Sequence, residues 1–111
     1  MTQSDRNALI AAYKERKTVA GVFAVICSAT GEVWVGRSLH VETHRNGLWF
    51  SLRVGGYPDP GLQSAWRVHG EDGFRFEELD RLSTDLSSLE RDGELKRRAA
   101  LWKARLQARA L

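Results

Sequence analysis

His40 and His44 stand four residues apart, so a helix through them places both imidazoles on one face. Such a pair can move protons near neutral pH or contribute to a transition-metal site. No cysteine or carboxylate completes a zinc set at matching spacing. The plain reading of His44 is a surface helix residue, and the chemical one is a base that activates water, with Arg45 beside it. Arg37, Arg45, Arg53 and Arg67 are spread through the middle of the chain, and Lys96, Arg97, Arg98, Lys103, Arg105 and Arg109 follow without an acid between them. A cationic run of one sign attracts phosphate, although it is also the ordinary composition of a solvated helix face. If Arg37 and Arg45 share a side with that run, the three form a groove for a phosphate backbone. Binding would then be salt-sensitive and weakly sequence-specific. The segment 71–95 is the opposite, with nine acids and three arginines.

Those side chains need a scaffold. The chain has 111 residues, 42% of them hydrophobic and 28% charged, with a net charge of +3. That suits one domain spanning 1–111 with a single core. No apolar run reaches the ~20 residues that cross a bilayer, and the first residues lack a signal-peptide layout. A cytoplasmic protein with no membrane partner is the expectation. Cys27, the single cysteine, lies in an apolar run and reads as a core residue.

The periodicity predicts a helix over 5–17, an N-terminal extension (1–18) to a core at 19–106. Residues 20–28 and 32–36 read as two strands joined by a turn at Thr30-Gly31. Both runs are nearly continuous in apolar residues, which predicts strands covered on both faces. Val41, Leu48, Trp49 and Leu52 make a helical stripe interrupted by Gly47, and residues 55–60 form a loop. A short helix from Leu62 to His69 ends at Gly70. Residues 73–82 alternate as a half-exposed strand. Ser83, Thr84 and Asp85 offer caps for a last helix to about Ala108, which Gly93 would break, with Leu95, Ala99, Trp102 and Leu106 as its stripe. All four tryptophans fall on apolar stripes and read as core. The order α-β-β-α-α-β-α gives an α+β fold, a small three-stranded antiparallel sheet flanked by helices.

Gly21-Val22-Phe23, ten residues, then Trp34-Val35-Gly36: this spacing resembles the GIY-YIG endonuclease superfamily. Trp66–Gly70 followed by Gly73-Phe74-Arg75-Phe76-Glu77-Glu78-Leu79 is similar to the family's second helix and third strand. The resemblance implies DNA as partner and phosphodiester hydrolysis with Mg2+ or Mn2+. In that chemistry a tyrosine activates water, an arginine on the following helix stabilises the phosphate, and a glutamate on a later helix holds the metal. Carried onto this chain, the two tyrosine positions are Phe23 and Trp34, which have no hydroxyl. The arginine position is His44, with Arg45 adjacent and Arg37 or Arg53 as substitutes. The glutamate position falls among Lys96, Arg97 and Arg98, so Glu94 or Glu90 would have to hold the metal. Gly21, Gly36, Arg37, Arg53, Lys96 and Arg97 would face the nucleic acid. The resemblance therefore implies a nuclease-family frame with an altered active site. A non-catalytic nucleic-acid-binding domain and a protein-interaction module stay open beside it.

Overall fold

The computed structural model describes residues 19–111. The helix expected at 5–17 lies outside them. Strand β1 (Gly21–Cys27) turns into β2 (Val33–Ser38), and helices α1 (Val41–Arg53) and α2 (Pro60–His69) follow. A single 3-10 turn, Glu71–Gly73, leads into β3 (Phe74–Arg81). Helix α3 (Ser88–Leu106) and a two-residue strand β4 (Arg109–Ala110) close the chain.

The sheet runs β3-β1-β2-β4. β1 is central and antiparallel to both β2 and β3, while β4 lies parallel to β2. The expected three-stranded antiparallel sheet is thus present, with a fourth strand added at its edge. That addition has a local cause. Gln107 adopts a left-handed conformation at φ 52°, which turns the chain back after α3. The Leu111 N–H then donates to the Val35 carbonyl at 2.9 Å.

Alternation along β1 sends Phe23, Val25 and Cys27 to one face and Val22 and Ala24 to the other. The first face meets Leu48, Trp49 and Leu52 of α1 and Leu62 and Trp66 of α2. The second meets Leu95 of α3, with Ala99 and Trp102 partly buried beside it. Both faces are covered, as the continuous apolar runs predicted. The pairing of β1 with β3 slips between Val22 and Phe23. This bulge reverses the alternation of β3. Phe74 and Phe76 pack under α1 and α2, whereas Leu79 packs on the α3 side and Asp80 bonds to α3 residues.

Several helix ends differ from expectation. α1 runs through Gly47 without a break; the glycine is exposed and needs no partner. Likewise α3 passes through Gly93. Its cap is Ser87, not Ser83–Asp85: the Ser87 hydroxyl accepts from the Glu90 N–H, and the Glu90 carboxylate accepts from the Ser87 N–H. Ser83 instead accepts from the Asp85 N–H in the preceding turn. Leu106 is exposed and leaves the expected stripe. At α2 the expected end holds, with Gly70 at φ 75°, but the helix starts earlier than Leu62, at Pro60, because Asp59 caps it by accepting from the Leu62 N–H. The 55–60 loop is pinned by buried Gln63, which donates to the Leu52 carbonyl and accepts from the Tyr57 N–H.

Candidate functional site

Phe23 is buried on the α1 side of the sheet, between the rings of Phe76 at 5.0 Å and His44 at 4.6 Å. Across the hairpin it faces Gly36. A Cβ on Gly36 would approach the Phe23 ring tip to 2.5 Å, so the second motif's glycine is the space the first motif's ring occupies. Gly21 is required differently: a Cβ there would collide with the Asp80 carbonyl, where β1 and β3 run closest. Trp34 is fully buried, 6.3 Å from Phe74, and its indole N–H has no partner among the described residues. Both motif aromatics are therefore core residues without an acid–base group.

His44 sits half-buried on the Phe23 ring. Burial, with the nearby His40 adding to it, lowers its pKa from the ordinary histidine value. His40 ends the β2–α1 connection, its ring 6.0 Å from that of His44. Ser38, buried at the end of β2, ties this pair down. Its hydroxyl oxygen accepts the His40 N–H at 3.0 Å and lies 3.3 Å from His40 Nδ1. The sequence offered the four-residue spacing of the histidines but not the part of Ser38, because a buried serine at a strand end leaves no periodic signal.

Arg45 lies outside this cluster, its guanidinium over the Trp49 ring at 5.7 Å. Arg53 forms a two-pronged pair with Glu71, at 2.5 and 2.9 Å. Those hydrogen bonds lower the Glu71 pKa, and the Arg45 charge contributes a little. α1 covers one face of the sheet and α3 the other, so Arg45 and Arg53 do not join the basic run of α3.

Arg37 does join it. On the α3 side Arg37, Lys96 and Lys103 line a cleft of about 240 Å³ floored by Val35, Gly36, Ala99 and Ala100. Among the described residues none of these three cations forms an ion pair with a carboxylate. Lys103 belongs to the basic run read from the sequence but was not singled out there with Lys96, although its seven-residue step from Lys96 places both on one helix face.

Arg97, Arg98 and Arg105 of α3 are engaged elsewhere. Arg97 and Arg98 both clamp Glu94, and Arg98 reaches Asp80 at 2.8 Å. The Trp102 indole N–H donates to the other Asp80 oxygen at 3.3 Å. Arg105 stacks over Trp102 at 5.1 Å. The two guanidiniums lower the Glu94 pKa to about 2. Of the two proposed metal ligands, Glu94 accepts from both arginines, whereas Glu90 is exposed and accepts only the Ser87 N–H, at 3.4 Å. Among the described residues, no group of three or more His, Cys, Asp or Glu is placed to hold a metal ion. The Glu94 oxygens are taken by two guanidiniums and Lys96, Arg97 and Arg98 put positive charge beside them, so the acid nearest the expected position does not fit Mg2+ or Mn2+.

No family model matches the sequence, and no curated protein matches it either. The fold does match solved structures. A structure of the catalytic domain of the homing endonuclease I-TevI aligns with TM-score 0.69 at 17% identity, over 83% of this chain and 97% of that one. A variant of the catalytic domain of intron endonuclease I-TevI aligns with TM-score 0.67 at 19% identity, over 80% of this chain and 84% of that one. I-TevI is a GIY-YIG homing endonuclease, and the shared architecture carries the Gly21–Phe23 and Trp34–Gly36 triplets on adjacent strands, so the fold of this chain is GIY-YIG-like.

Proposed function

We propose that this chain is a nucleic-acid-binding domain on a nuclease-type scaffold, gripping the phosphate backbone without a carboxylate-held metal. The convergence of Arg37, Lys96 and Lys103 on one cleft carries the reading. They come from two elements, β2 and α3, and among the described residues none is in an ion pair, the nearest acid in the lining being Asp92 of the adjoining cavity. Phosphate contacts of this kind supply affinity and little sequence information, so weak sequence preference follows. The likeness to an endonuclease catalytic domain points to DNA as the first ligand to test. The buried, hydroxyl-free Phe23 and Trp34 and the guanidinium-bound Glu94 argue against magnesium-assisted hydrolysis.

The test is fluorescence anisotropy with labelled duplex DNA across a salt series. Three phosphate contacts give a slope of log affinity against log salt near about −2.7. Lys96→Ala and Lys103→Ala should each reduce that slope by about 1, roughly equally for unrelated sequences. Plasmid incubated with Mg2+ or Mn2+ should stay supercoiled, with or without EDTA. A slope untouched by both substitutions overturns the interface, and metal-dependent nicking overturns the non-hydrolytic reading.

A further inference from the structure

The histidine pair is the one cluster of proton-transfer groups that the backbone-binding reading leaves unused. We propose that His40 and His44 form a general acid–base pair that cleaves RNA without a metal ion, by attack of a ribose 2′-hydroxyl on its own 3′-phosphodiester.

The inference rests on the binding reading above and adds the chemistry that reading lacks. The ring centres are 6.0 Å apart. That is too far for one imidazole to bond the other, and close enough for both to reach the entering and leaving oxygens of a single phosphorus. Ser38 accounts for the orientation of His40. Its oxygen accepts the backbone N–H of His40 and can accept Nδ1–H as well, which leaves Nε2 as the working nitrogen. His44 is held on the Phe23 ring at 4.6 Å. Its lowered pKa keeps it neutral and able to accept a proton near pH 7.

The surroundings favour a phosphate over a cation. Both histidines belong to the first turn of α1 and its cap, the positive end of a thirteen-residue helix. Glu42, the acid of that turn, is paired with Arg81 at 2.8 Å. Ser38, which bonds His40, also lines a second cavity of about 360 Å³ with Arg37, Leu39, Asp92, Leu95 and Lys96, and neither histidine is part of that lining. Ser38, which anchors His40, thus stands at the end of β2 between that cavity and the pair.

The step balances without an added reagent. His44 takes the 2′-hydroxyl proton as the O2′–P bond forms. The P–O5′ bond breaks, and protonated His40 gives its Nε2 proton to the departing 5′-oxygen. The products are a 2′,3′-cyclic phosphate and a 5′-hydroxyl. DNA has no 2′-hydroxyl and is bound but left intact.

The experiment incubates the full chain with end-labelled RNA and with the same sequence as DNA, both in EDTA, and identifies the new termini by mass. The expected result is RNA cleaved to cyclic-phosphate ends and DNA uncut. His40→Gln and His44→Gln should each slow cleavage by about 10²–10⁴-fold while affinity for uncleaved DNA is kept. His40 is exposed, so its variant carries the test if His44→Gln loses its fold. RNA that is bound but stays whole overturns the proposal and leaves the binding reading standing. Cleavage that survives both substitutions, or that requires a metal and cuts DNA too, also overturns it. Absence of binding to either strand sinks the backbone interface itself.

Discussion

The two faces of the sheet are packed by different chemistry. Under α1 and α2, rings meet rings: Trp49 lies 5.3 Å from Trp66, and Trp66 lies 5.3 Å from Phe74. Under α3 the contacts are small residues, Ala24 and Val35 against Leu95 and Ala99, flanked by the Asp80–Arg98–Glu94 ionic chain. Both motif aromatics project to the first face. There the tyrosine hydroxyls of the related chemistry are absent, and the rings serve as packing. The cations of the Arg37–Lys96–Lys103 cleft stand on the second face, while Arg45 and Arg67 are exposed on the first. Phe23 and Trp34 are thus core on the first face, and the Arg37–Lys96–Lys103 cleft opens on the second.

The largest expected effect tests that division. Trp34→Ala empties a fully buried site and should cost about 3–5 kcal/mol by denaturant unfolding. Trp102→Ala, on the α3 side, removes a half-buried ring and one hydrogen bond and should cost less than half as much. Equal losses would mean that both faces carry the fold alike.

A smaller effect sharpens the account of the hairpin. Gly36→Ala pushes a methyl group into the Phe23 ring and should destabilise by about 1–3 kcal/mol. Phe23→Leu in the same protein should recover much of that, because the smaller side chain vacates the space. The two changes should therefore be strongly non-additive in a double-mutant cycle. Simple additivity would show that the glycine is needed for the strand path and not for the ring.

The same contrast explains what the sequence disclosed. Period-two and helical stripes are local and strong, so β1, β2, β3, α1, α2 and α3 were legible, as was the Gly70 end of α2, while its Asp59 start was read as part of the preceding loop. Long-range events leave little local trace. The slip between Val22 and Phe23 turns Asp80 toward α3, and nothing in the composition of β3 announces it. β4 depends on the single left-handed residue Gln107, a type with no special preference for that conformation. Gly47 and Gly93 were read as breaks because glycine weakens helices, but tertiary packing over a long helix outweighs a cost of about 1 kcal/mol. For the site, Arg37 and Lys96 were named and do line one cleft. Arg45 and Arg53 were grouped with them only because sequence does not reveal on which side of a sheet a helix lies. Arg97 was grouped there as well, and it is bound to Glu94.

The smallest effect concerns the ionic chain that fastens α3 to β3. Glu94 has its pKa lowered to about 2 by Arg97 and Arg98. A depressed carboxylate pKa contributes stability that is fully present above the ordinary glutamate value, and the contribution fades as pH falls through the folded value. The melting temperature should therefore decline from the ordinary value of 4.5 toward about 2, and Glu94→Gln should flatten part of that decline. The carboxylate is solvent-accessible, and water screens such pairs, so the change should be slight beside either substitution above. Glu71, lowered by Arg53, bridges α1 to the turn before β3 on the opposite side of the molecule and titrates in the same direction. Glu71→Gln provides the matching measurement. If only the Glu94 variant flattens the acid limb, the α3 face is where acid first loosens the fold. If only Glu71→Gln does so, the aromatic face, for all its burial, depends on its rim.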